Sequence, residues 1–182
     1  MVLLSSNICD FNKQIIGFNL KNIDGQTYHL DNLLGENGTL IMFICNHCPY
    51  VKAIIKELVK TTVELSNYGI HSIAIMPNDT SKYPEDNFEK MKKFADINNF
   101  NFPYLIDETQ EVAKKYEAVC TPDFFGFNQE KKLQYRGRIF ELKNLEIVNN
   151  KNELLDAMKT ISKYKTGPEK QFPSIGCSIK WK

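Results

Sequence analysis

The chain is short of several things whose scarcity narrows its chemistry. No run of its 182 residues approaches the roughly eighteen consecutive apolar positions of a membrane-spanning helix. Charge of one sign is also lacking: 23 Lys and Arg stand against 22 Asp and Glu, for a net charge of +1. Neither a nucleic acid nor a membrane surface is therefore expected as partner. Tryptophan occurs once, as Trp181, and arginine twice, as Arg136 and Arg138. The five cysteines, Cys9, Cys45, Cys48, Cys120 and Cys177, are odd in number and widely spread, unlike a secreted disulfide framework. No second CxxC and no HxxxH is present to complete a zinc site, so no metal and no cofactor is expected. The opening MVLLSSN has neither the basic start nor the apolar stretch of a signal peptide, which predicts a cytoplasmic location. There a persistent disulfide is rare, and a CxxC is more often catalytic or metal-binding.

With 42% hydrophobic and 25% charged residues, a chain of this length can bury its own core. No repeat, low-complexity tract or linker divides it. One domain over 1–182 is expected, with a core over 17–166 and a C-terminal tail over 167–182.

What is present centres on Cys45-Asn46-His47-Cys48. It follows the apolar run Leu40 to Ile44, which reads as a buried strand, and precedes a helical pattern beginning near Pro49. Two thiols three residues apart at a strand end and a helix mouth suit reversible disulfide chemistry. Unpaired N–H groups and the positive end of the helix dipole favour thiolate there, and a protonated His47 would add to this.

Other elements follow from pattern. Asp24-Gly25 between Phe18–Leu20 and Tyr28–Leu30 predicts a hairpin. Val51, Ile54, Ile55, Leu58, Val59 and Leu65 recur at helical spacing, and Ile70–Met76 is the next strand, a parallel β-α-β unit. Pro84, Glu85 and Asp86 are expected to open a helix with Phe88, Met91, Phe94 and Ala95 buried. Capping likewise accounts for the polar group Asn78, Asp79, Glu85 and Asp86 in preference to cation binding. Asp107 with Gln110 predicts a capping box after a short strand at Pro103–Ile106. Phe124–Phe127 and Leu133–Arg138 read as a hairpin, and Asn150 with Glu153 as the start of a last helix. Arg136 and Arg138 are expected in a structural ion pair on that hairpin.

This order, β-α-β, an inserted helical segment, then β-β-α with CxxC at the first strand–helix junction, resembles the thioredoxin fold. Thr121-Pro122 stands just before the late hairpin, where thioredoxin-like proteins carry a cis-proline facing the CxxC. The N-terminal hairpin and the stretches CNHCPYVKA, NDxxxYPED, FPYLxDETQEVAKKY, CTPDFF and YRGR resemble, more narrowly, the alkyl hydroperoxide reductase/thiol-specific antioxidant branch. Within it they are similar to small bacterial peroxiredoxin-like proteins with a CxxC. The fold implied is α/β and thioredoxin-like: a central mixed sheet flanked by helices, with an N-terminal hairpin and an inserted helical segment.

The departures are informative. Laying Cys48 on the cysteine of the peroxiredoxin PxxxTxxC motif puts Cys45 at the threonine and Ile41 at the proline. No arginine adjoins Thr121-Pro122. Thioredoxin's tryptophan before the first cysteine is Ile44 here, and its buried strand acid falls at Thr39, leaving the base for the second thiol unassigned.

The resemblance thus implies a thiol–disulfide oxidoreductase, of antioxidant and redox-homeostasis type, acting on protein or small-molecule disulfides with a thiol reductant. It implies an exposed Cys45 of lowered pKa as nucleophile, Cys48 as resolving thiol, and His47 as thiolate stabiliser. Thr121 and Pro122 would form the substrate-docking edge, with Pro122 cis. The alternatives are a peroxiredoxin-like thiol peroxidase, expected to turn over peroxide weakly, and a copper or other soft-metal module. Cys120 and Cys177 are possible additional redox thiols for which packing is favoured. The tail carrying Phe172, Ile175, Ile179 and Trp181 is expected to dock on the body.

Overall fold

The computed structural model describes residues 2–182. Its strands are β1 (Leu3–Ser5), β2 (Asn19–Asn22), β3 (Thr27–His29), β4 (Gly38–Phe43), β5 (Ile70–Met76) and β6 (Tyr104–Ile106). They continue with β7 (Cys120–Thr121), β8 (Asp123–Asn128), β9 (Leu133–Arg136), β10 (Leu142–Lys143), β11 (Glu146–Ile147) and β12 (Ile175–Ser178). The α-helices are α1 (Pro49–Ser66), α2 (Phe88–Asn98), α3 (Glu111–Lys115) and α4 (Glu153–Tyr164). The main sheet runs β3-β2-β6-β5-β4-β8-β9, with β4, β5 and β6 mutually parallel and the other neighbours antiparallel. This is the mixed sheet of a thioredoxin-like fold, with the expected N-terminal hairpin β2–β3 at its edge.

Strand β4 is buried on both faces, which is why it reads as a continuous apolar run. Its alternation still sorts the core. Leu40 and Met42 pack with Ile54 and Leu58 of α1, Met91 of α2 and Met158 of α4. Ile41 and Phe43 point the other way, onto Val112 and Ala113 of α3 and onto Phe125. Each such side chain contributes about 1.5–3 kcal/mol by leaving water. The layers fix β4 and α1 against each other and so hold the turn between them in place. Among the described residues, no helix is long and apolar enough to cross a membrane.

Several local expectations are corrected. Pro84–Asp86 forms a separate short 3-10 turn, and α2 begins beyond it with Asn87 as cap, its side chain accepting from Lys90 N at 3.0 Å. Asp107 accepts from Ala113 N at 2.8 Å, yet Gln110 does not close a capping box. Its amide donates instead to the carbonyls of Pro77 (2.7 Å) and Lys180 (2.8 Å), tying the tail to the body. The cap of α4 is Asn152, accepting from Leu155 N at 2.9 Å, rather than Asn150.

The tail docks, and it does so as a strand. β12 lies between β1 and β7, antiparallel to both. Residues ahead of 17 are thus part of the structure's framework as well. Ile179 is buried, whereas Phe172, Ile175 and Trp181 stay partly exposed, so backbone pairing carries more of the docking than the apolar side chains do.

Candidate active site: a thiol cluster under the C-terminal strand

The chain leaves β4, passes Ile44, and turns through Cys45-Asn46-His47 into α1. Pro49 begins that helix, where its missing N–H costs nothing, and Cys48 is the N-cap. The helix mouth therefore belongs to Cys48 and not, as expected, to Cys45. Neither sulfur is exposed: both residues have 0% of their surface in contact with solvent. Cys45 Sγ lies 3.3 Å from Thr121 Oγ1. Cys48 Sγ lies 3.1 Å from the Thr121 carbonyl O and 2.9 Å from Cys177 Sγ. The Thr121-Pro122 bond is cis, as the resemblance implies, but its backbone faces Cys48.

The electrostatics follow from this placement. Cys48 is pushed down to about 5, chiefly because the Cys45 thiol can donate to its thiolate. The Cys177 thiol and the backbone N–H groups of Val51 and Cys177 add to this, against the opposing effect of burial. Cys45 goes the other way. Sharing its proton with Cys48, burial, and the nearby Asp86 carboxylate all hold it protonated. Cys177 is raised to about 12 by burial and by donation to Cys48. Of the three sulfurs, Cys48 is thus the one whose surroundings favour the thiolate.

Asp86 organises the turn, a role the capping interpretation missed. It is fully buried, and its carboxylate accepts from Asn46 N (2.9 Å), His47 N (3.3 Å), His47 Nδ1 (2.6 Å) and Asn78 Nδ2 (2.8 Å). The bond to Asp86 raises the pKa of His47, whose ring also stacks on Tyr83. Asn46 is fixed by Tyr104 Oη, which donates to its Oδ1 at 2.9 Å, and by its own donation to Glu85 O at 3.0 Å. The acidic group at the expected start of that helix was the hint of this in the sequence, and capping explained it as well.

A family model described as AhpC/TSA family matches residues 11–136. The chain belongs to the AhpC/TSA family. Among solved structures it is similar to an uncharacterized conserved protein from Geobacillus kaustophilus, at 43% identity over 100% of this chain and 97% of that one, with a TM-score of 0.95. A hypothetical protein from Sinorhizobium meliloti is 33% identical over 98% of both chains, with a TM-score of 0.90. A putative protein disulfide isomerase from Bacteroides thetaiotaomicron shares the fold at 16% identity, covering 90% of this chain and 95% of that one, with a TM-score of 0.66. No match was found among the curated proteins.

In this AhpC/TSA chain, Cys45 occupies the place beside Cys48 where the peroxiredoxin motif has threonine. The arginines are engaged elsewhere. Arg136 donates to Asp123 Oδ2 (3.1 Å) and Glu117 O (2.7 Å) and stacks on Phe125, while Arg138 clasps Glu153 at 2.9 and 3.1 Å. Both are the structural ion pairs expected. Cys120, one residue before Thr121, turns to the opposite face of β7, its sulfur 3.6 Å from Pro122 O and its pKa raised by burial. Pro122 also borders an apolar cavity of about 240 Å³, with Tyr50, Ile54, Phe124, Ile139 and Ile175 in its wall.

Proposed function

We propose that this AhpC/TSA-family chain is a thiol–disulfide oxidoreductase in which Cys48, rather than Cys45, is the attacking thiolate. The observation that carries this reading is the place of Cys48 at the N-cap of α1, where the helix N-terminus favours its thiolate. The Cys48 thiolate attacks one sulfur of a substrate disulfide, forming a mixed disulfide and expelling the other sulfur as thiolate. Cys45 then attacks Cys48 Sγ, its proton passing to the departing substrate sulfur, which leaves as a thiol, and a Cys45–Cys48 disulfide remains. The substrate gains the two electrons that the protein dithiol loses, and a thiol reductant restores the dithiol.

The bond to Asp86 raises the pKa of His47, and its imidazolium form favours an anion at Cys48. The Asp86 carboxylate, Cys45 Sγ and His47 Nδ1 all lie within 4.8 Å of one another, which places an anion beside the Cys45 thiol. Thr121 and Pro122 form the edge beside the reacting sulfurs. A low thiolate pKa stabilises the reduced form, which makes the couple more oxidising; about 30 mV corresponds to about 1.4 kcal/mol.

Two other readings are weaker. Peroxidase chemistry lacks the threonine and arginine that would hold the O–O bond. The Cys45, His47 and Asp86 atoms offer a mixed donor set, but each Asp86 oxygen already accepts N–H donors, and a hard carboxylate suits soft copper poorly. A cytoplasmic setting, protein or small-molecule disulfide substrates and one domain over 1–182 belong to the same proposal.

Titration in defined glutathione buffers, with peroxide consumption followed in parallel, tests it. The expected result is a reversible two-electron couple at Cys45–Cys48, loss of insulin reduction in Cys48→Ser, and slow peroxide turnover. Insulin reduction by Cys48→Ser at the wild-type rate would overturn the assignment.

A further inference from the structure

A third thiol meets the CxxC, and nothing in the exchange cycle above uses it. Cys177 stands opposite Thr121 in the antiparallel pairing of β12 with β7. Directly opposed residues share a face of the ladder, and Thr121 presents its hydroxyl to Cys45. The Cys177 side chain accordingly enters the same space, and its sulfur stops 2.9 Å from Cys48 Sγ. A disulfide needs about 2.05 Å, so closure calls for less than an ångström of movement.

This placement is built in from both ends. Before the strand, Ser6 N donates to Ser174 O at 2.8 Å, and Ser174 N donates to Ser6 Oγ at 2.9 Å. After it, Lys180 N donates to Asn78 Oδ1 at 2.9 Å, and Lys180 O accepts from Asp79 N and Gln110 Nε2, each at 2.8 Å. Asn78 also donates to Asp86, so the carboxylate that orders the CxxC turn and the strand that carries Cys177 share one hydrogen-bonded link. Within the strand, a Cβ on Gly176 would fall 2.1 Å from Thr121 O. The backbones approach so closely there that only glycine lets Cys177 sit over Cys48. The three sulfurs are closed from solvent together, Cys177 keeping 1% exposure.

We propose that Cys177 is a second disulfide partner of Cys48, making the site a three-thiol relay closed by the chain's own C-terminal strand. The proposal rests on the exchange reading above. A substrate disulfide, here represented by oxidised glutathione, accepts attack by the Cys48 thiolate, giving a Cys48–glutathione mixed disulfide and one glutathione thiolate. Cys177 gives up its proton and attacks Cys48 Sγ. The bond to glutathione breaks, the second glutathione takes up that proton and leaves as a thiol, and a Cys48–Cys177 disulfide remains. Cys45 can then attack Cys48 Sγ, releasing Cys177 as a thiol and forming Cys45–Cys48 with no further change in electrons. Cys48, between two thiols, is the only sulfur that both disulfides share.

The full chain carrying Cys45→Ser tests it, reduced, then treated with oxidised glutathione, quenched with an alkylating agent and mapped as unreduced peptides by mass spectrometry. The expected product is a peptide joining Cys48 to Cys177. In the chain carrying both Cys45→Ser and Cys177→Ser, glutathione should stay on Cys48 and leave at least about tenfold more slowly, because the neighbouring thiol's high effective concentration is gone. Cys45→Ala is the second variant, for the case that serine perturbs the fold. Glutathione retained on Cys48 with Cys177 alkylated in both Cys45 variants would overturn the relay while leaving Cys48-centred exchange standing. A wild-type chain in which Cys48 neither takes up glutathione nor forms any disulfide would overturn both.

Discussion

Replacing Cys45 by alanine should move the titration of Cys48 without touching Cys48 itself. The Cys45 thiol is the largest of the influences that bring Cys48 from an ordinary value of 9.0 down to about 5. A hydrogen bond to a charged group is worth about 1.5–3 kcal/mol, or about 1–2 pH units at about 1.4 kcal/mol each. Cys45→Ala should therefore raise the Cys48 titration by about 1–2 pH units. Cys45→Ser keeps a hydroxyl donor and should shift it less. Thiolate absorbance at short ultraviolet wavelengths, followed against pH on the reduced protein, reads this step even though the sulfur is buried.

The same shift sets a stability dependence. Cys48 has a folded pKa below its unfolded one, so its contribution is fully present above pH 9 and is lost as pH falls through about 5. At pH 7, between the folded and unfolded values, part of that contribution is present. Cys45 and Cys177, both raised, are protonated in folded and unfolded chains at that pH and add nothing. Urea unfolding of wild type and Cys48→Ser at pH 7 and 4.5 isolates the effect as a difference of differences. A low-pH thiolate step that survives Cys48→Ser, or that Cys45→Ala leaves unmoved, would refute the reasoning.

Three further variants have expected outcomes. Asp86→Asn should destabilise the fold by about 3 kcal/mol, since one amide cannot accept from every donor the carboxylate serves. His47, whose folded pKa is raised, contributes stability that is full below its unfolded value and lost as pH rises through the folded one; NMR titration should show this dependence vanish in Asp86→Asn. Arg136→Ala leaves buried Asp123 without its cation and should cost about 3–5 kcal/mol at pH 7 by urea unfolding. That cost should shrink at pH 5, because burial already raises Asp123 to about 6 and it takes up a proton there. Gly176→Ala should push β12 off Thr121 and speed alkylation of Cys48 at least about tenfold through local opening, while an unchanged rate would mean that the close approach is not what shuts the site.

The sequence by itself determined those parts of this protein that short-range periodicity encodes. Strand β4 announces itself as an apolar run, α1 as recurrent apolar positions behind Pro49, and β5 as Ile70–Met76 to the residue. Cys45, Cys48 and Thr121-Pro122 could be named because each sits at a junction between such elements. What tertiary structure alone decided is which groups surround each thiol and what stands over them. Cys45 and Cys48 share one turn, and their local sequence serves either assignment. Asp86, 40 residues beyond Asn46, and the Cys177 sulfur, 129 residues beyond Cys48, separate the two. The strands that bring Cys177 in, β7 of two residues and β12 of four, are too short to show a period. Their pairing is held by long-range backbone hydrogen bonds, and such bonds leave no mark on the residues that make them.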